Sequence, residues 1–376
     1  MKIALLSDCY PPRLGGIETQ VRDLGHRLAA AGHEVHVYTA TVGADGVRGR
    51  VVAADGPVTV HRHTIWTPLG IPMNPLAPKA IRPELRSFDV AHVHMGVISP
   101  FATDMAHLAL ELGLPTVLTW HCVLEPAAQR AYAALRLIPR FARAGAVLTA
   151  VSGMAADRVS RASGGLPVSV VPNGIDPARW RGPGPERRGD AVRIVTALRF
   201  APRKRVPALL RMLRAIRETV PARVRLAATL YGDGSLLPLA RRRVADAGWI
   251  TLPGRVARAD LVRAYAESDL YLSPVRLEAF GVAALEARTA GLPVAAVAGS
   301  GVADFVGDGV EGLLAHDDAG LVAAVARLAT DDDLRRRIAA HNRAVEPAQV
   351  WPRVVADVEA AYDRARAAMA KRGQPR

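Results

Sequence analysis

Short apolar runs alternate with stretches of helical spacing along nearly the whole chain, and this alternation restricts the fold more than any other feature. Lys2–Ser7 (KIALLS) is a run suited to a strand buried on both faces. A loop punctuated by Pro11, Pro12, Gly15 and Gly16 follows, then helical spacing over Glu18–Ala31, with Gly32 as its stop. Glu34–Thr39 (EVHVYT) reads as the next strand. Strand, loop, helix, strand is the opening of a doubly wound parallel sheet. The pattern continues with strands at Val58–His63, Asp89–His94, Pro115–Trp120, Gly145–Val151 and Ser169–Pro172, and a helix at Thr103–Leu112.

Arg181–Asp190 (RGPGPERRGD) breaks the pattern with Gly, Pro and charge, and reads as a linker. Strands then resume at Val192–Ala197, Leu226–Tyr231, Trp249–Leu252, Leu270–Ser273, Pro293–Val297 and Gly312–Leu314, with helices at Val206–Glu218 and Leu236–Ala247. The expected class is therefore α/β, with two Rossmann-like domains facing a central cleft. The first spans residues 1–180 and the second 190–350. A last amphipathic helix at residues 351–370 completes the first. A length of 376 residues suits two domains, and a hydrophobic content of 50% is enough for two cores.

The formal net charge of +14 points to anionic partners: nucleic acid, phosphorylated substrates or an acidic membrane surface. A basic nucleic-acid-binding protein has only this charge in its favour. No nucleic-acid motif is present, and aromatics, at 5%, are too few for base stacking. Cys9 and Cys122 are two distant thiols, neither a disulfide framework nor a metal cluster. No apolar run approaches the ~20 residues of a membrane span. Met1–Asp8 is too short and too soon polar for a signal peptide, so the expected place is the cytoplasm.

Two carboxylates carry the strongest chemical signal. Glu278 and Glu286 lie eight residues apart in LEAFGVAALEA. On one continuous helix they would stand ~80° apart. Phe280 and Gly281 instead suggest a helix that starts between them, so that the amides of Phe280, Gly281 and Val282 point out of its N-terminus. Such amides form an anion site, and a carboxylate on either side can accept hydrogen bonds from sugar hydroxyls. Together they suit a sugar joined to a phosphate, although the bare spacing also describes an ordinary solvated helix face.

In its context, Pro274–Ala287 (PVRLEAFGVAALEA) resembles the E-x7-E motif of glycosyltransferase family 4, a retaining family with the GT-B fold. Other motifs similar to that family follow in order along nearly the whole chain. They are Gly15-Gly16 with Glu18, His94, His121, Ser152, Pro172–Asp176 (PNGID), Arg199 with Lys204, and Gly232-Asp233-Gly234. The resemblance implies that Arg199 and Lys204 hold the donor diphosphate and stabilise charge on the leaving nucleotide. It implies that Glu286 binds the ribose hydroxyls, and that Glu278, Phe280, Gly281 and Val282 hold the donor sugar. Gly15 and Gly16 would let backbone approach the phosphate, Val256 would lie near the base, and His121 would reach the transferred sugar. With Arg199, Lys204 and Glu278, His121 makes up the expected catalytic set, while Glu18 and His94 fall on the acceptor side. The implied partners are a nucleotide-sugar donor, UDP- or GDP-linked, and an acceptor the sequence does not identify. No metal or other cofactor is expected. A sugar-nucleotide epimerase of the same fold is the rival enzyme, and the paired Glu around Phe280-Gly281 favours the transferase.

The chain departs from the family pattern at the basic loop. The family usually has Gly before the Arg and after the Lys, where this chain has Leu198 and Arg205. The later Gly-Gly-x-x-Glu segment is represented by Ser300, Gly301 and Asp304.

Other features have plainer readings. His92 and His94 share one face of a strand, with no further metal ligands evident. His61 and His63 repeat that spacing and are expected to face solvent. Asp331-Asp332-Asp333 reads as helix N-terminal charge and capping. Arg136, Arg140 and Arg143 in RLIPRFAR would share one helical face, open to solvent or to an anionic membrane at the inner face, although Pro139 would kink or break that helix.

Overall fold

The computed structural model describes the chain apart from residues 14, 68–69, 182–189 and 374–376. It divides into two compact units, Met1–Gly174 with Trp351–Arg376, and Ile175–Val350. The first domain thus ends at Gly174 rather than at residue 180. The Ile175 N–H donates to the Gln349 carbonyl, and the buried Trp180 ring lies 5.6 Å from that of Tyr265, so residues 175–180 are built into the second unit. The linker reading at Arg181–Asp190 falls, except for its two ends, outside the described residues.

The first unit holds strands β1 (Lys2–Ser7), β2 (Glu34–Thr39), β3 (Gly49–Asp55), β4 (Val58–Thr64), β5 (Val90–Met95), β6 (Thr116–Trp120), β7 (Val147–Ala150) and β8 (Ser169–Val170). They form one sheet in the order β3-β4-β2-β1-β5-β6-β7-β8. All pairs are parallel except β3 with β4. β5 and β6 are buried at every position, as a parallel sheet covered on both faces requires. β3 is the exception. It is an exposed antiparallel edge, GRVVAAD, without the apolar alternation of a half-buried strand, and it is joined to β4 through the turn at Gly56 and Pro57.

Helix Trp351–Gly373 belongs to this unit because its apolar face joins the sheet's own core. Val354, Val358, Tyr362 and Ala365 cluster with Ile3, Leu5, Val90 and Val117. The PNGID segment owes its glycine to this packing, since a Cβ on Gly174 would meet the Trp351 ring at 2.4 Å. Gln20 braces the same residue, accepting from its N–H at 3.1 Å and donating to its carbonyl at 3.3 Å.

Two expectations are corrected here. His61 and His63 do not face solvent; both are buried. His61 stacks on Tyr38 at 4.4 Å and hydrogen-bonds His36 at 2.8 Å, and burial pulls its pKa down to about 4. Two residues at one strand spacing share a face, but which face is set by what packs on it. The stripe of three arginines is not formed either. Arg136 sits in the left-handed region (φ 49°) ahead of helix Leu137–Arg143, and only Arg140 and Arg143 are helical. Pro139 does not break that helix, because it lies within the first turn, where its missing N–H has no partner to lose.

The second unit holds β9 (Val192–Ala197), β10 (Leu226–Tyr231), β11 (Ile250–Gly254), β12 (Leu270–Leu272), β13 (Val294–Val297) and β14 (Gly312–Ala315), all parallel in the order β11-β10-β9-β12-β13-β14. Each sheet has its own switch point where the chain reverses direction across it, between β1 and β5 in the first unit and between β9 and β12 in the second. Ligands of such sheets bind outside the carboxyl ends of the strands. Asp331 caps helix Asp332–Ala344 by accepting from the Leu334 N–H at 2.9 Å, the plain reading of the Asp run.

Candidate active site

In the second unit the carboxyl ends of β9, β10 and β11 are laced by backbone. The Leu198 N–H donates to the Tyr231 carbonyl, Phe200 N–H to Asp233, Gly232 N–H to Gly254, and Leu236 N–H to Phe200. Gly232 and Gly234 make this approach geometrically feasible. A Cβ on Gly232 would stand 1.8 Å from the Leu198 carbonyl oxygen, and one on Gly234 would stand 2.5 Å from that of Phe200. The Gly-Asp-Gly motif is therefore a clamp on the loop that carries Arg199.

That loop runs from Arg199, which is exposed, through a 3-10 turn at Pro202–Lys204 to helix Val206–Thr219. Lys204 Nζ lies 2.5 Å from Glu278 Oε2, so the basic loop and the start of the E-x7-E segment meet directly. Glu278 is followed by Gly281, which caps helix Val282–Thr289 in the left-handed region (φ 93°), a conformation that favours glycine. The amides of Phe280, Gly281 and Val282 have no hydrogen-bond partner among the described residues, as expected for the first turn of a helix open to an anion. Gly301 closes the segment from behind. Its N–H donates to the Glu278 carbonyl at 2.8 Å, and a Cβ there would meet the Ala279 carbonyl oxygen at 2.2 Å. Ser300 caps the 3-10 turn Gly301–Asp304. The altered Gly-Gly-x-x-Glu segment thus keeps the glycine that packing demands.

Arg205, where the family has Gly, occupies a left-handed conformation (φ 56°). The strain of a side chain there is offset by contacts glycine could not make: its Nη2 donates to both Asp318 carboxylate oxygens, at 2.9 and 2.7 Å, and its Nη1 donates to the Pro274 carbonyl. Asp318 also receives Arg276 at 2.9 Å, and its carboxyl is held below the usual range chiefly by Arg205. Neither this triad nor Arg258 was legible in the sequence, because each joins segments more than 25 residues apart.

Glu286, on the helix, is buried and lies 3.8 Å from Arg258, which in turn sits 5.8 Å from the Trp180 ring centre. Val256 is half-buried on the loop after β11. Replacing Glu286 with Ala is expected to weaken nucleotide binding by roughly tenfold or more, the loss of a hydrogen bond to a charged group. Calorimetric titration with the nucleoside diphosphate checks this.

In the first unit Gly16 begins helix Gly16–Ala30, and the space where its Cβ would point is open to 4 Å. Gly15 is the constrained one: a Cβ there would meet the Glu18 carboxylate at 2.2 Å. Glu18 itself is buried and pairs with Arg13 at 3.4 Å. His94 and His121 are brought together, with His94 Nδ1 2.9 Å from His121 Nε2. Both rings are kept neutral by burial, His121 with its pKa lowered to about 4 and His94 with its pKa pushed well below the usual imidazole value. The His121 ring is turned inward, its Nδ1 also buried.

A chain of two α/β units, one carrying a basic loop against a carboxylate at an open helix N-terminus, has the build of an enzyme that binds a nucleotide sugar. The comparisons with known proteins agree. The Glycosyltransferase Family 4 model matches residues 14–179 and the Glycosyl transferases group 1 model matches residues 191–331. The chain belongs to glycosyltransferase family 4 and transfers a sugar from a nucleotide-sugar donor to an acceptor. It is 29% identical over 398 residues to a GDP-mannose-dependent alpha-mannosyltransferase of Mycolicibacterium smegmatis, covering 96% of this chain and 97% of that one. It is 27% identical over 317 residues to the GDP-mannose-dependent alpha-(1-6)-phosphatidylinositol monomannoside mannosyltransferase of Mycobacterium tuberculosis, covering 78% and 80%. Among solved structures, sucrose-phosphate synthase from Thermosynechococcus elongatus has a TM-score of 0.77 at 20% identity, over 98% and 99% of the two chains. HepE of Anabaena, in complex with UDP and glucose, has 0.72 at 19% identity, over 96% and 99%. The fold is that of the GT-B glycosyltransferases.

Proposed function

We propose that the enzyme is a retaining, metal-independent mannosyltransferase that uses GDP-mannose and glycosylates a lipid-borne acceptor at a membrane surface. The Lys204–Glu278 contact at the open N-terminus of helix Val282–Thr289 carries the reading: it sets a cation and free amides where a diphosphate needs them, beside a carboxylate for sugar hydroxyls. In this scheme Arg199 and Lys204 grip the diphosphate and take up charge as it leaves. Glu278, with the amides of Phe280 to Val282, holds the mannose, Glu286 binds the ribose and Val256 lies beside the base. Gly15 and Gly16 border the phosphates. The acceptor hydroxyl attacks on the face from which the nucleotide leaves, so the anomeric configuration is kept. Catalysis then consists of orientation and charge stabilisation.

The choice of GDP-mannose is supported by the two mannosyltransferase relatives, and the lipid acceptor by the second of them. UDP in the HepE crystals bears on the fold alone at that identity. No helix among the described residues is long and apolar enough to cross a membrane. Membrane contact is supported instead by exposed apolar side chains in the first unit, Trp66 at 69%, Leu76 at 72% and Ile98 at 83% exposure. The test is transfer from radiolabelled GDP-mannose, UDP-glucose and ADP-glucose to lipid vesicles containing phosphatidylinositol, with and without EDTA. Mannose is expected in the lipid product, α-linked by NMR, at a rate EDTA leaves unchanged. Transfer from UDP-glucose alone, a β-linked product, or loss with EDTA reversed by a divalent ion would refute the corresponding part.

A further inference from the structure

Edge strand β3 is exposed along most of its length, yet the hairpin it forms with β4 reaches the loop that ends in Gly15 and Gly16. It does so through Asp55, the last residue of β3, and Arg62 in β4. Asp55 holds the chain on both sides of that loop. Its Oδ2 accepts from the Tyr10 hydroxyl at 2.8 Å, ahead of the loop, and from Arg22 Nε at 2.7 Å, in the second turn of helix Gly16–Ala30 beyond it. Its Oδ1 accepts from Arg22 Nη2 at 2.7 Å, which completes a two-pronged pair. Tyr10 is buried, so its hydroxyl has no water to exchange for the carboxylate. Arg22 is the chief reason that the Asp55 carboxyl is held down to about 2, and the carboxylate is therefore charged at any working pH.

Arg62 grips the loop itself. Its Nη2 donates to the Pro11 carbonyl at 2.7 Å and its Nη1 to the Thr41 carbonyl at 2.9 Å, while the guanidinium carbon lies 5.9 Å from the centre of the Tyr10 ring. The side chain is half-buried, and burial works against its charge. A cation kept there against that penalty, and spent on carbonyl oxygens, serves to fix backbone.

The loop needs such outside support. Pro11 and Pro12 have no N–H to donate, and Gly15 and Gly16 have no side chain with which to anchor it. Backbone beside a phosphate contributes most when it is held still before the ligand arrives. We propose that the β3–β4 hairpin is a clamp on this loop, and that Asp55 and Arg62 are positioning residues for the donor, acting through the place they give to the Gly15 and Gly16 backbone. The inference rests on the reading that this backbone borders the donor phosphates.

Calorimetric titration with GDP and steady-state kinetics with GDP-mannose test it on the whole protein. The proteins compared are the wild type, Asp55→Ala, Arg62→Ala, Arg62→Lys, Tyr10→Phe and Gly16→Val. Asp55→Ala and Arg62→Ala are expected to raise both the Kd for GDP and the KM for GDP-mannose by about fivefold or more, as hydrogen bonding to a charged group is loosened. Arg62→Lys keeps a donor for the Pro11 carbonyl and is expected to return to within about twofold of the wild type. A lower melting midpoint and a smaller active fraction, with Kd and KM unmoved, would show a merely structural role and overturn the proposal. Should Asp55→Ala not fold, Tyr10→Phe, which takes one hydroxyl from the same carboxylate, decides with Arg62→Ala. A wild type that binds UDP rather than GDP is compared with UDP in the same way, since the loop acts on phosphates and not on the base. Gly16→Val separates the clamp from the reading beneath it, because the space where its Cβ would point is open and a branched side chain there would stand between backbone and phosphate. Unchanged nucleotide affinity in Gly16→Val sinks that reading, and the clamp's function with it. Weakened binding in Gly16→Val beside wild-type binding in the Asp55 and Arg62 variants sinks the clamp alone.

Discussion

Replacing Lys204 with Ala is expected to lower turnover by about 100-fold or more while leaving the fold intact. The magnitude is that of removing one preorganised group from a site of developing charge. An ammonium has three donors, and Glu278 occupies one of them at 2.5 Å, so two remain for phosphate oxygens. Glu278 holds the cation in position, and in the proposed scheme its other oxygen is the one offered to the sugar. The loss should fall mainly on kcat, because charge on the diphosphate grows as the glycosidic bond breaks. The side chain is about a third exposed, so the pair itself contributes little to stability. Steady-state kinetics and a thermal melt on the same preparation give both quantities. A near-normal kcat would show that Lys204 does not touch the leaving group.

Replacing Gly232 with Ala is expected to damage both stability and donor binding, though the residue has no side chain to offer a ligand. Its φ of 127° lies where only glycine is at ease, and the added Cβ would stand 1.8 Å from the Leu198 carbonyl oxygen. Relief requires β9 and β10 to part at their carboxyl ends, breaking the lacing that runs from Tyr231 to Phe200 and moving Arg199 with it. A cost of about 2–4 kcal/mol follows from the strain and the clash together. For a unit of this size that lowers the melting midpoint by roughly 5–15 °C. Nucleotide affinity should fall as well. Replacing Gly248 with Ala, where nothing lies within 4 Å and no left-handed φ is required, is the natural control. Equal melting of the two variants would contradict the clamp.

These two residues also show how differently parts of the site could be read. Lys204 and Glu278 are 74 positions apart, and each alone is a common surface residue. Their meeting was inferred from the ordered set of motifs, and the structure brings them into contact. Arg205 shows the reverse. It departs from the family's glycine, yet the left-handed turn is retained and steadied by Asp318, 113 positions away. The hydrogen bonds that join His92 to Thr119 and Thr119 to Thr149 left no trace in the sequence. They depend on which residues the sheet order places side by side: register sets His92 opposite Val117 and Thr119 opposite Thr149.

The sequence by itself determined the succession of strands and helices, since burial of a parallel strand on both faces demands continuous apolar runs and helix stops demand glycine. It also determined the carboxylate and cation types available for a sugar diphosphate. Only the tertiary structure decided that His61 and His63 are core, that β3 exists as an exposed edge, that the last helix packs through Tyr362 onto His92, and where Gly174 divides the chain. The physical reason is common to all four: periodicity reports which residues share a face, while burial, partner and charge state are fixed by whatever distant segment comes to cover that face.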